Sequence, residues 1–115
     1  MFVDLPPAQV YCLAEVIYLE ARGEEKAGQR AVAHVVLNRS KKTKKTICQV
    51  VREPRQFQVN FRKSYVGKTW ADVYKVASNP GIDPTGGATS FKTAYSRAKW
   101  NLKFLIQIGN HRFYK

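Results

Sequence analysis

A chain of 115 residues with 20 Lys+Arg against 8 Asp+Glu, a net charge of +12 and 44% apolar residues has the size of one domain and the means to fill a core. That composition excludes a disordered basic tail, and no apolar run approaches the roughly 20 residues of a membrane span. Residues 1–115 are therefore expected to form a single domain, without a membrane span. The opening Met1-Phe-Val-Asp-Leu-Pro-Pro lacks the basic start and long apolar stretch of a secretory leader, so synthesis in the cytoplasm is expected.

Pro6 and Pro7 suit the first turn of a helix. From Ala8 onward, Val10, Leu13, Ala14, Ile17 and Ala21 recur at helical spacing, and Gly23 ends the run. A second helix is predicted to begin near Glu24 and Glu25, whose charges suit its dipole. Its buried stripe is Ala27, Ala31, Val32, Val35 and Val36, and the lysine cluster ends it. Residues 46–52 allow one or two helical turns, stopped at Glu53-Pro54. Trp70, Val73, Tyr74 and Ala77 mark a third helix, closed by Asn79-Pro-Gly81.

Beyond it, residues 79–87 are dense in turn formers. Residues 88–92 suit a short strand, and residues 93–101 suit a helical turn or irregular chain. Residues 104–108, Gly109-Asn110 and residues 111–114 read as a β-hairpin with a two-residue turn. The class is α+β, mainly helical, with a small C-terminal hairpin.

Two cysteines, Cys12 and Cys48, are expected to be ordinary packing residues in a reducing compartment. A zinc site from Cys12, His34, Cys48 and His111 matches no ligand spacing, so no metal and no cofactor are expected. Arg39-Ser-Lys-Lys-Thr-Lys-Lys45 reads as a solvated basic loop, suited to a nucleic acid, an anionic membrane surface or an anionic wall polymer.

On the first helix, Glu15 falls opposite the apolar stripe, whereas Glu20 follows Ile17 by three and Leu13 by seven positions. Glu20 is thus placed on the buried face near the helix C-terminus. Desolvation and the dipole both raise a carboxyl pKa there, as a general acid requires. The alternative for Glu20 is a buried salt bridge, with Arg22 or Arg39. Glu24 stands four positions further and invites a two-carboxylate glycosidase reading, but Gly23 intervenes, and capping of the second helix is the alternative.

Tyr18-Leu-Glu-Ala-Arg-Gly-Glu24, then Gly28-Gln-Arg-Ala-Val-Ala-His-Val-Val-Leu-Asn-Arg39, resembles the SleB/CwlJ-type cell wall hydrolase family. The likeness continues through Ile47-Cys-Gln-Val-Val51, Gln56-Phe57, Asp83-Pro-Thr-Gly-Gly-Ala88 and Ile108-Gly-Asn-His-Arg-Phe-Tyr114. It departs at Leu19 and Gln58, and across residues 92–107, where Lys99, Trp100 and Lys103 replace a turn-rich pattern. The resemblance implies a lysozyme-like, lytic-transglycosylase-like fold and cleavage of peptidoglycan between N-acetylmuramic acid and N-acetylglucosamine. It assigns the catalytic acid to Glu20.

A transglycosylase needs one carboxylate, whereas a muramidase-type hydrolase needs a second, for which Glu24 and Asp83 are the candidates. Glycan contacts are expected from Tyr18, Arg22, Gln56, Phe57, Gly86, Gly87, Asn110 and His111. The expected partner is the peptidoglycan glycan strand, with no specific nucleic acid. A monomer acting at the wall or periplasm as an endolysin, reaching it through a holin, completes the expectation. A small basic nucleic-acid-binding protein is the rival from another class.

Overall fold

The computed structural model describes residues 5–53 and 65–115. Gln56, Phe57 and Gln58 lie outside the described residues. Helix α1 (Pro7–Ala21) starts at the expected prolines and packs against three later helices: α2 (Lys26–Thr43), α3 (Ile47–Arg52) and α4 (Lys68–Ser78). Enclosure on so many sides leaves it almost no solvent face, and every residue from Cys12 to Ile17 is buried. Glu15 is among them, contrary to the exposed position that its periodicity suggested. A carboxylate in that setting needs partners, and it has two. Arg52 of α3 pairs with Oε1, and the Tyr65 hydroxyl donates to Oε2 at 3.0 Å.

Helix α2 buries Ala31, Val32, Val35 and Val36 as expected, but Ala27 is exposed, and Gly28 and Gln29 are buried instead. Gln29 Nε2 donates to the carbonyls of Ala21 and Glu24, both at 3.3 Å, and so ties the end of α1 to the start of α2. The lysine cluster is no loop. Helix α2 runs through Lys41 and Lys42, where cations suit the C-terminal dipole, and stops at Lys44 in the left-handed conformation (φ 60°). Thr46 and Gln49 then form a reciprocal capping box that starts α3.

The cysteines are joined. A Cys12–Cys48 disulfide, with 5.2 Å between the Cα atoms, staples α1 to α3 across 36 residues of chain. This corrects the expectation of two free thiols, and it withdraws both as zinc ligands. Among the described residues, no helix is long and apolar enough to cross a membrane.

The hairpin forms as expected, from β2 (Phe104–Ile108) and β3 (His111–Tyr114), with a register irregularity between Phe104 and Ile106. It is only part of the sheet. Strand β1 (Ser90–Thr93), two residues later than predicted, pairs antiparallel with the other edge of β3, giving the order β1-β3-β2. Residues 93–101 beyond β1 are irregular apart from its last residue. His111 and Phe113 alternate with Arg112 and Tyr114 along β3, and Phe113 enters the helical core. The sheet is anchored to α2 by Arg39, whose Nε donates to the Thr89 carbonyl at 2.5 Å and whose guanidinium also reaches Ser90 Oγ.

Candidate active site

Where α1 ends, the chain turns sharply through Arg22 and Gly23 into α2, and this junction forms one wall of a cleft of about 380 Å³. The opposite wall comes from the sheet: Thr93 and Tyr95 after β1, and Asn110 and His111 at the hairpin turn. Glu20 lies in the α1 wall and is half-buried. Burial raises its pKa above the ordinary 4.5. Among the described residues, its carboxylate has no hydrogen bond and no ion pair, so neither Arg22 nor Arg39 neutralises it. A carboxyl group that is desolvated, unpartnered and open to a cleft is equipped to donate a proton.

Glu24 lines the same cleft in a different role. Its Oε1 accepts from the Asn110 backbone N–H at 2.9 Å, and its Oε2 accepts from Asn110 Nδ2 at 3.3 Å. The carboxylate thus bridges the α1–α2 junction to the hairpin across 86 residues. Its surroundings are shaped to admit it. A Cβ on Gly28 would lie 3.0 Å from Glu24 Cβ, and one on Gly109, where φ is 57°, would lie 2.2 Å from Oε1. His111 Nδ1 stands 3.8 Å from Oε1 and, among the described residues, has no hydrogen-bond partner. Burial holds the His111 pKa below 6.5, partly offset by the Glu24 charge. Asn110 and His111 therefore line the same cleft as Glu20, with Asn110 held by Glu24.

Asp83 is elsewhere. It lines a separate cavity of about 550 Å³ with His34, Asn38 and Lys41. Its oxygens accept from Asn38 Nδ2, from the Thr85 N–H and hydroxyl, and from the Gly87 N–H, at 2.7 to 3.0 Å. Burial alone would raise its pKa, but the Asn38 and Thr85 donors, with His34 nearby, hold it below the ordinary value. Asp83 organises the turn, which corrects its candidacy as a carboxylate facing Glu20. Gly86 and Gly87 serve that turn at φ 73° and 98° and do not line the Glu20 cleft. His34 Nε2 fastens the same segment, lying 3.2 Å and 3.0 Å from the carbonyls of Pro80 and Gly81.

Tyr18 is not a cleft residue either. It packs edge-on to Tyr65 and Trp70 in an aromatic cluster, at centroid distances of 5.3 and 5.9 Å. Arg22, which does line the cleft, is steadied by Tyr18: its guanidinium sits 5.0 Å from the ring and donates to the Tyr18 carbonyl at 3.0 Å. Two cleft residues had no signal along the chain. Thr93 closes a short strand, and Tyr95, 79% exposed, stands in an irregular segment.

A profile described as cell wall hydrolase matches residues 23–114. The chain belongs to the cell wall hydrolase family. Among family members with curated descriptions, it is 37% identical over 114 residues to a spore cortex-lytic enzyme of Bacillus cereus, covering 92% of this chain and 44% of the relative. It is 35% identical over 117 residues to a spore cortex-lytic enzyme of Oceanobacillus iheyensis, covering 92% and 41% respectively. The chain thus spans less than half the length of these relatives. Its fold is similar to that of the catalytic domain of the germination-specific lytic transglycosylase SleB from Bacillus anthracis, with a TM-score of 0.79, 30% identity and full coverage of both chains. The catalytic domain of the Bacillus cereus SleB protein is also similar, with a TM-score of 0.76, 29% identity, and coverage of 100% of this chain and 98% of that one. The mainly helical α+β architecture is thereby that of the SleB catalytic domains.

Proposed function

We propose that this cell wall hydrolase domain cleaves the glycan strand of peptidoglycan between N-acetylmuramic acid and N-acetylglucosamine as a lytic transglycosylase, with Glu20 as its single acid and base. One observation carries the reading. Of the three candidate carboxylates, only Glu20 is both in the cleft and, among the described residues, without a partner, since Glu24 is engaged by Asn110 and Asp83 by its own turn.

One carboxyl group suffices for such a reaction. Protonated Glu20 gives its proton to the glycosidic oxygen as the C1–O bond breaks, leaving an oxocarbenium-like muramoyl centre. The carboxylate then takes the proton of the C6 hydroxyl while that oxygen bonds to C1. The product is a 1,6-anhydro ring, and no water is consumed. A hydrolase needs a second carboxylate to activate water or to attack C1. Arg22, Tyr95, Asn110 and His111 surround Glu20 as the glycan contacts of this proposal.

The action belongs at the wall, on the oxidising side of the membrane. The Cys12–Cys48 disulfide supports that setting, because such bonds persist in oxidising compartments. So does the charge of +12, which favours an anionic envelope. An endolysin released through a holin, acting as a monomer, is the form of the proposal for a lysis enzyme.

Mass spectrometry of soluble products from purified peptidoglycan tests the chemistry. Anhydromuramic ends are expected, and Glu20→Gln is expected to lower their yield by about a hundredfold or more while the fold is kept. Reducing ends from the wild type, lost in both Glu20→Gln and Glu24→Gln, would establish a two-carboxylate hydrolase instead.

A further inference from the structure

Four of the seven large hydrophobic side chains exposed among the described residues fall within seven positions: Trp100, Leu102, Phe104 and Ile106, each 37 to 47% exposed. They flank and enter β2, an edge strand whose outer side has no strand partner among the described residues. Phe104, opposite Tyr114, belongs to the outer face, whereas Ile106, opposite Phe113, is exposed only at the edge of the core-side face. Trp100 and Phe104 lie edge-on to Tyr114, at 5.1 and 5.6 Å. Two cations sit over these rings: Lys92 Nζ is 5.1 Å from the Trp100 centroid, and Arg112 Cζ is 5.4 Å from that of Phe104. From residue 84 to residue 115 the chain carries six Lys and Arg and no Asp or Glu. None of these side chains lines the Glu20 cleft.

Three occupants suit an exposed apolar sheet edge, and charge separates them. A second copy would bring the same cations against themselves, so like charges oppose edge pairing. A nucleic acid or another polyanion would satisfy the cations and the rings, but it offers Leu102 no hydrocarbon to enter. An anionic bilayer satisfies both: aromatic and aliphatic side chains enter the headgroup boundary, and Lys and Arg meet the phosphates. We propose that the outer face of the sheet, with its β2 edge, docks on the surface of an anionic lipid bilayer. This inference is independent of the glycosidase reading. Docking would hold the domain beside the membrane with the Glu20 cleft on a different surface.

Co-sedimentation of the purified protein with vesicles tests it. Binding is expected to vesicles rich in phosphatidylglycerol, weakened by salt, and not to vesicles of phosphatidylcholine alone. Leu102→Ser/Phe104→Ser, which keeps every charge, is expected to weaken binding at least about tenfold. Lys99→Gln/Lys103→Gln is expected to weaken it chiefly at low salt. Should the serine variant fail to fold by circular dichroism, wild-type fluorescence serves: Trp100 emission is expected to shift to the blue and to be shielded from acrylamide by phosphatidylglycerol vesicles. Clearance of lipid-free peptidoglycan by a folded serine variant is expected to match wild type, which separates this test from the catalytic one. The proposal is overturned if the vesicles leave wild type in the supernatant or if the folded serine variant binds them as tightly as wild type. Tight binding to duplex DNA, or self-association, without vesicle binding overturns it too and names the other occupant.

Discussion

At the scale of single residues, what surrounds Glu20, Glu24 and Asp83 gives each a different role, and only the first two line the cleft. Glu20 pays for its proton affinity in stability. Its folded pKa is raised above 4.5, so the folded state holds a proton that the unfolded chain has already released. The contribution of the group is therefore fully present below about pH 4.5, the unfolded value, and is lost as pH rises through the raised folded value. Glu20→Gln has nothing to ionise. Thermal melts are expected to show the variant more stable than wild type at pH 7, with the difference closing below about pH 4.5. A variant less stable than wild type at neutral pH would mean that the Glu20 carboxylate has a stabilising partner.

Between elements, single contacts do the joining. The Glu24 carboxylate holds the hairpin turn against the α1–α2 junction, and Gly109 makes room for it. Gly109→Ala would put a Cβ 2.2 Å from Glu24 Oε1 at a φ of 57°. The substitution is expected to destabilise by about 1–3 kcal/mol, from strain and a broken bridge, and to lower glycan cleavage by moving Asn110 and His111. Glu24→Gln keeps the shape and one acceptor oxygen, so it is expected to lose less activity than Glu20→Gln. The disulfide acts on the same scale. Closing a loop of 36 residues between α1 and α3 contributes about 3–4 kcal/mol in the chain-entropy account. Cys12→Ala/Cys48→Ala is expected to melt lower in non-reducing buffer. A reductant should lower the wild-type melting temperature and leave the variant unmoved.

For the whole molecule, charge is the dominant property, and the structure redistributes its meaning. Of the cations in residues 39–45, Arg39 is a structural tie to β1, and Lys45 pairs with Glu53 at 2.5 Å. Lys41, Lys42 and Lys44 are exposed and are the ones that act at a distance. Replacing these three with Gln is expected to slow lysis of permeabilised cells at low salt, with the gap narrowing as screening shortens from about 30 Å at 0.01 M to about 8 Å at physiological ionic strength. Stability should fall by about 1 kcal/mol or less, from the lost charge–dipole contacts of Lys41 and Lys42. Arg39→Gln, by contrast, removes hydrogen bonds that anchor the sheet to α2 and is expected to cost about 1–3 kcal/mol. Equal lysis rates at low salt for wild type and the triple variant would show that encounter with the wall does not depend on this cluster.

The sequence by itself determined the helices, the hairpin and the place of Glu20 at the end of α1, because these depend on spacing within a few turns and on local turn chemistry. Apolar residues three and four apart must share a helix face wherever the helix is placed, and Gly109-Asn110 between two apolar runs makes a turn. Tertiary structure alone decided the rest. Glu15 looked solvent-facing because periodicity describes one helix, and only three neighbouring helices show that α1 has almost no outer face. Cys12 and Cys48 became a pair, Glu24 found Asn110, and β1 joined β3 because the fold brought together residues 36, 86 and about 20 positions apart. Asp83 does not face Glu20 for the same reason: its donors are in its own turn and on α2. Chemistry between residues distant along the chain depends on proximity, and proximity is a property of the packed molecule.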